Sequence, residues 1–198
     1  MLAIAGGKGG TGKTTTTLGL SRAFDEEILA VDADRDMPNL HSMAGVERTD
    51  DETLEPRRHP DDPTVSVLSP PPGIDDDAFE RWLRTVADDN RHAVVDCPAG
   101  AGPDAATPLR VADAVVVVTQ LCAPALRDAA KTAAMARALG TPVVGTVVSR
   151  ARLAPGAVEE LVGAPVLGTV PDEASPVLAQ PPVRAAYSRI SDTIGLKT

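Results

Sequence analysis

Aromatic side chains are scarce in this sequence, at 2% of 198 residues: Phe24, Phe79, Trp82 and Tyr187. The core must therefore be built from aliphatic groups. Lysine is equally rare. Lys8, Lys13, Lys131 and Lys197 are the lysines among 19 basic residues, and the rest are arginine. No apolar stretch approaches the roughly 20 residues that a membrane-spanning helix needs. No leader pattern precedes the first apolar run, which leads straight into a glycine-rich loop, so a cytoplasmic location is expected. No CxxC is present. Cys97 and Cys122 lie in separate apolar runs, which reads as small buried thiols rather than a metal or disulfide pair. Internal repeats and low-complexity tracts are also missing.

What is present fits one domain over residues 1–198 with a sizeable core. Hydrophobic residues make up 43% of the chain, which excludes a disordered polyelectrolyte. The formal net charge is −9, with aspartates clustered at 50–51, 61–62 and 75–77. Such an acidic, lysine-poor surface suits a high-salt cytoplasm, although an ordinary acidic protein would look similar. In either setting the phosphate backbone of nucleic acid would repel it.

Apolar runs of strand length alternate with segments of helical period. The expected strands are 2–5, 28–31, 65–68, 93–95, 114–119, 143–148 and 166–170, runs dominated by Val, Ile, Leu and Ala, as in parallel strands covered on both faces. A helix is expected from Thr14 to Phe24. Phe79, Trp82, Leu83 and Val86 follow an i, i+3, i+4, i+7 pattern behind three aspartates that favour a helix start. Ala125 to Leu139 forms another helix ending at Gly140, and Ser175-Pro176 resembles an N-cap and first helical residue. The alternation implies a doubly wound α/β fold with a mainly parallel sheet. Residues 49–63 break the rhythm and read as an exposed excursion, a solvated linker in preference to a partner-binding or switch-adjacent loop.

The residues Gly7-Lys8-Gly9-Gly10-Thr11-Gly12-Lys13-Thr14 match the phosphate-loop pattern G-x-x-x-x-G-K-[ST], after a strand and before a helix. Glycines let successive backbone N–H groups turn toward phosphates, and the helix N-terminus adds positive potential. Lys13 would reach the β- and γ-phosphates and Thr14 would ligate Mg²⁺. Asp32 and Asp34 end the second strand, and Asp96 ends the apolar run 93–95, where a carboxylate can hold Mg²⁺ through water.

With Lys8, the run from Gly6 to Thr15 resembles the deviant Walker A loop of the MinD/ParA ATPases, most of all MinD-like proteins, and with the acidic composition suits a halophilic archaeal source. The resemblance continues through Asp32-Ala33-Asp34-Arg35-Asp36-Met37-Pro38-Asn39, Asp96-Cys97-Pro98-Ala99-Gly100 and Val170-Pro171-Asp172-Glu173. It implies that Lys8 reaches the phosphates of a second subunit in an ATP-dependent homodimer. It also implies that Asp34 serves hydrolysis and metal binding, that Thr15 and Gly100 belong to the nucleotide site, and that Asp96 binds magnesium. Base recognition would fall to Ser149, Arg150, Pro171 and Asp172. Ser149 stands where the family usually has an adenine-reading asparagine, and a hydroxyl lacks the paired donor and acceptor of an amide. The N-K-x-D signature of many GTPases is absent, so ATP is the expected nucleotide.

The family's basic amphipathic membrane tail is not seen near residues 190–198, and no room for an operator-binding module precedes the loop. Autonomous membrane anchoring and sequence-specific DNA binding are therefore not expected. Arg150, Arg152, Arg184 and Arg189 could form a basic patch or simply be scattered. The leading expectation is a slow ATPase switch with a protein activator or cargo adaptor, in cell division, partitioning or organelle placement. A P-loop small-molecule kinase or ligase would need an acceptor pocket, and an ATPase assay with candidate acceptors would reveal it. An iron–sulfur carrier is opposed by the missing CxxC. A non-hydrolysing binding module is opposed by the full set Lys13, Thr14, Asp34 and Asp96.

Overall fold

The structure is a computed structural model that describes residues 1–48, 55–89 and 91–195. The strands in chain order are β1 (Leu2–Ala5), β2 (Ile28–Asp32), β3 (Arg57–His59), β4 (Asp62–Leu68), β5 (His92–Asp96), β6 (Ala114–Thr119), β7 (Val143–Ser149) and β8 (Val166–Val170). The helices are α1 (Lys13–Ser21), α2 (Leu40–Ala44), α3 (Asp76–Asp88), α4 (Pro103–Val111), α5 (Ala123–Ala138), α6 (Ala157–Val162) and α7 (Pro181–Ile194).

Successive side chains of a strand point to opposite faces, and here both faces are apolar. On β1, Ala3 and Ala5 join a cluster with Phe79 and Leu83 of α3, Leu109 of α4 and Ala129 and Ala133 of α5. Leu2 and Ile4 face the other way, into a cluster with Leu20 of α1 and Val183, Tyr187 and Ile190 of α7. The strands form one sheet in the order β3-β4-β2-β5-β1-β6-β7-β8, parallel except for the β3–β4 pair. The order reverses around β1, which leaves a crevice at its C-terminal end, where α/β folds of this kind hold ligands.

Helix α3 forms as its pattern predicts. Asp75 caps it by accepting the Ala78 N–H at 2.7 Å, and Phe79, Trp82, Leu83 and Val86 are its buried residues. Each buried apolar side chain contributes roughly 1.5–3 kcal/mol. Helix α1 is different, because its run of threonines is a poor helix former. It is held by burial of Leu18 and Leu20 and by a contact of 3.2 Å between the hydroxyls of Thr16 and Tyr187.

Several expectations need correction. The helix expected over 14–24 runs from Lys13 to Ser21. Of the excursion at 49–63, residues 49–54 lie outside the described residues. Arg57–His59 form an antiparallel edge strand on β4, which itself starts at Asp62 rather than Val65. An edge strand draws its order from the backbone of its neighbour and needs no apolar face, and its exposed arginines discourage further pairing. Ser175-Pro176 does not start a helix. It precedes a short 3₁₀ turn at Val177–Ala179, and α7 begins at Pro181 behind Gln180. Cys97 is buried, and its thiol is pushed up by burial, but Cys122 is exposed at the N-cap of α5. No described helix is long and apolar enough to cross a membrane.

Candidate functional site

The loop leaving β1 enters α1 through Gly12, whose φ of +95° belongs to the left-handed region that side chains resist. No side chain caps α1 there, so its first-turn N–H groups keep the unpaired donors of a helix N-terminus. Gly7 is needed for a different reason, since a Cβ there would lie 2.5 Å from the Asp128 backbone of α5. The loop is tied down on several sides. Thr11 donates its hydroxyl to Lys8 O at 3.1 Å, Gln120 donates its amide to Gly10 O at 3.1 Å, and Gly100 N–H bonds Gly6 O at 3.2 Å.

Above α1 lies a cleft of about 350 Å³, lined by Gly9, Gly10, Gly12, Lys13, Thr14, Thr15, Asp34, Asp96 and Arg150 among others. Lys13 is only 8% exposed, yet it makes no ion pair among the described residues. A cation in that position is costly unless an anion arrives. Lys8, in contrast, is exposed at the loop's outer side and also makes no ion pair among the described residues.

Two buried carboxylates close the floor of the crevice. Asp32 and Asp96 stand in register on the paired strands β2 and β5. Asp96 accepts the Thr14 hydroxyl on Oδ2 at 2.6 Å, while its Oδ1 is buried without a hydrogen-bond partner among the described residues. Burial, aided by the Asp32 charge and opposed by the Thr14 hydrogen bond and Lys13, pushes Asp96 up to about 7. Asp32 is pushed up to about 6, by burial above all, although its carboxylate accepts the N–H groups of Asp34 and Leu40 at 3.0 Å each. An orphaned buried oxygen beside a threonine hydroxyl, with a second acid alongside, fits a hard oxygen-seeking cation such as Mg²⁺. Asp34 lines the cleft and spends Oδ1 on the Met37 N–H at 3.1 Å.

A side pocket of about 260 Å³ shares Gly12, Thr15 and Arg150 with the cleft and adds Ser149, Pro171 and Asp172. Arg150 takes φ of +53°, unusual for a side-chain-bearing residue, and its Nε lies 3.8 Å from Asp172. Ser149 is 7% exposed, and its hydroxyl lies 2.5 Å from Thr11 O and 3.2 Å from Thr119 O. That hydroxyl braces the phosphate loop instead of facing the pocket freely. The proposed basic patch is partly neutralised, because Arg150 faces Asp172 and Arg152 pairs with Glu173 at 3.3 Å.

The structure thus gathers Gly9, Gly10, Gly12, Lys13, Thr14, Thr15, Asp34, Asp96 and Arg150 in one cleft, with Ser149, Pro171 and Asp172 in the pocket beside it. Gly7, Lys8, Thr11 and Gly100 do not line the cleft; Gly7 packs on α5, and Thr11 and Gly100 hydrogen-bond within and to the loop. Sequence reasoning missed Asn39, whose Oδ1 lies 3.0 Å from the Thr14 hydroxyl, and Gln120. The signal for Gln120 was a polar residue ending a buried valine run, the same signal that pointed to Asp96.

A buried strand, a glycine loop and an uncapped helix start, beside strand-end carboxylates at the reversal point of a parallel sheet, define a P-loop NTPase fold. The chain belongs to the CobQ/CobB/MinD/ParA nucleotide binding domain family, whose profile matches residues 2–177. An uncharacterised ATP-binding protein of Methanocaldococcus jannaschii is 32% identical over 195 residues, covering 87% of this chain and 74% of that protein. The cell division ATPase MinD of Pyrococcus furiosus superposes with a TM-score of 0.81 at 27% identity, covering 98% of this chain and 97% of that one. MinD of Pyrococcus horikoshii, complexed with Mg-ADP, gives a TM-score of 0.83 at 23% identity over 98% and 95% of the two chains, a likeness of fold. The chain spans between 55% and 74% of the length of the curated relatives it matches.

Proposed function

We propose that the chain binds ATP with Mg²⁺ in this cleft and acts as a MinD/ParA-type switch, dimerising with ATP and releasing after slow hydrolysis. The observation that carries this reading is Lys13, a buried cation lining an open cleft with no carboxylate paired to it among the described residues. A polyphosphate supplies the missing charge. Thr14 and Asp96 would hold the metal, which when bound neutralises charge on the phosphoryl oxygens. Lys13 would bind the phosphates, and Asp34 would orient the attacking water with the carboxylate oxygen that Met37 does not use. Pro171 and Asp172 would border the base in the side pocket, with Arg150 between base and phosphates.

Lys8 is exposed beside the cleft rather than inside it, which suits contact with the phosphates of a second subunit. Lys13, the other charged residue of the loop, is buried. The relatives named for septum-site determination and cell division support positioning of a division component as its task, alongside partitioning of other cargo, with a protein partner accelerating turnover.

The test is light-scattering mass measurement during size exclusion, with ATP and with ADP, on the wild type, Lys8→Ala and Asp34→Ala. The expected result is a dimer with ATP only, lost in Lys8→Ala and prolonged in Asp34→Ala. A monomer under every nucleotide condition refutes the switch.

A further inference from the structure

The geometry points to Arg35 as the positioning residue that holds Asp34 at the cleft and links the loop after β2 to the start of α4. This rests on the reading of Asp34 given above. Adjacent residues of the loop go to opposite sides: Asp34 lines the cleft, while the Arg35 guanidinium enters a three-sided socket. Its Nη1 donates to Ile74 O at 3.2 Å, and its Nη2 lies 2.6 Å from Asp76 Oδ1 and 3.0 Å from Asp104 Oδ1. Its central carbon sits 4.7 Å from the centroid of the Phe79 ring, which is itself buried and stacked on Trp82.

The partners divide into two groups. Asp76 and Phe79 belong to α3, which is anchored on the sheet by its buried face. Asp104 belongs to the first turn of α4, directly after the loop that carries Gly100. Arg35 therefore joins the two loops that border the phosphate end of the cleft, using α3 as the fixed post. A planar fork is required to meet a carbonyl, two carboxylates and a ring face at once. A lysine ammonium would keep the charge and lose most of that geometry.

The bland alternative is a surface ion cluster. The Asp76 and Asp104 side chains are 87% and 58% exposed, so these pairs add little to global stability. That separates the two accounts. A merely structural cluster has small effects everywhere, whereas a positioning residue has a small effect on melting and a large local one.

Two readouts on the full chain decide between them. The first is ATP turnover in Arg35→Ala, Arg35→Lys and Asp104→Asn, with mant-ADP affinity measured alongside. The expected result for Arg35→Ala is kcat lower by about tenfold with KM and mant-ADP affinity within about twofold. Arg35→Lys should recover part of it, and Asp104→Asn should lose less. The second is hydrogen exchange at the Met37 amide, which reports the position of Asp34 through its bond to Oδ1. Exchange there should quicken by about tenfold in Arg35→Ala, with the amides of β1 and β5 unchanged. Unchanged Met37 exchange overturns the proposal, as does turnover retained within about twofold. If the wild type shows no turnover, the hydrolysis reading fails on its own, and the exchange measurement still decides the role of Arg35.

Discussion

Replacing Ser149 by alanine removes one hydroxyl from the end of β7 and leaves the rest of the strand intact. In the wild type that hydroxyl lies 2.5 Å from Thr11 O and 3.2 Å from Thr119 O, in surroundings where Ser149 is 7% exposed. It has one proton, so the shorter bond to Thr11 takes most of it. A net hydrogen bond contributes about 0.5–1.5 kcal/mol, while leaving a buried acceptor unsatisfied costs about 1–3 kcal/mol. The expected loss is therefore about 2 kcal/mol, which for a chain of this size lowers Tm by roughly 4–8 °C. The loss should be larger than expected of a pocket-facing serine, because Thr11 belongs to the phosphate loop. Differential scanning calorimetry without nucleotide measures it, and mant-ADP titration measures the weakened loop. If the variant melts with the wild type and binds mant-ADP equally well, Ser149 does not brace the loop.

Two further perturbations follow from the site. Asp32 and Asp96 are pushed up to about 6 and about 7, chiefly by burial, so the folded chain keeps protons that the unfolded chain has released. Their contribution is therefore unfavourable at neutral pH, and the stability of the metal-free protein should fall as pH rises from about 4 to about 7. Asp96→Asn should flatten the upper part of that fall, with a gain of up to about 4 kcal/mol at pH 7, measured by thermal melts in EDTA. A wild type and variant with parallel pH profiles would contradict this. Gly7→Ala should destabilise by about 1–3 kcal/mol and abolish nucleotide binding, because its Cβ meets α5 backbone. Gly9→Ala, with nothing within 4 Å of its Cβ, should leave nucleotide-free stability unchanged, urea titration of both glycine variants being the measurement.

The phosphate loop, Asp34 and Asp96 were legible because their chemistry is contiguous or tied to strand ends. A phosphate cradle needs its glycines and lysine at fixed spacing, and a metal-holding acid needs a rigid strand to stand on. The seven parallel strands were legible for a similar reason, since their largely covered faces leave runs dominated by Val, Ile, Leu and Ala. β3 was not, because an edge strand can be charged throughout and take its order from β4. Cys122 was misjudged because β6 ends at Thr119, and Leu121 and Cys122, apolar though they are, lie exposed in the turn before α5. Ser149 was expected to read the base; it lines the side pocket, and its hydroxyl is turned to the loop at Thr11 O.

The sequence by itself therefore determined the α/β class, the phosphate loop and the strand-end acids, since hydrophobic period and backbone geometry are local properties. Only the tertiary structure decided what stands opposite them. Ser149 reaches Thr11 across 138 positions, and Arg35 reaches Asp104 across 69. Both contacts exist because the sheet places β7 two strands from β1, and β2 next to β5, an order that no local pattern encodes. The loop that heads the chain is thus a phosphate cradle by sequence, and a braced one by its fold.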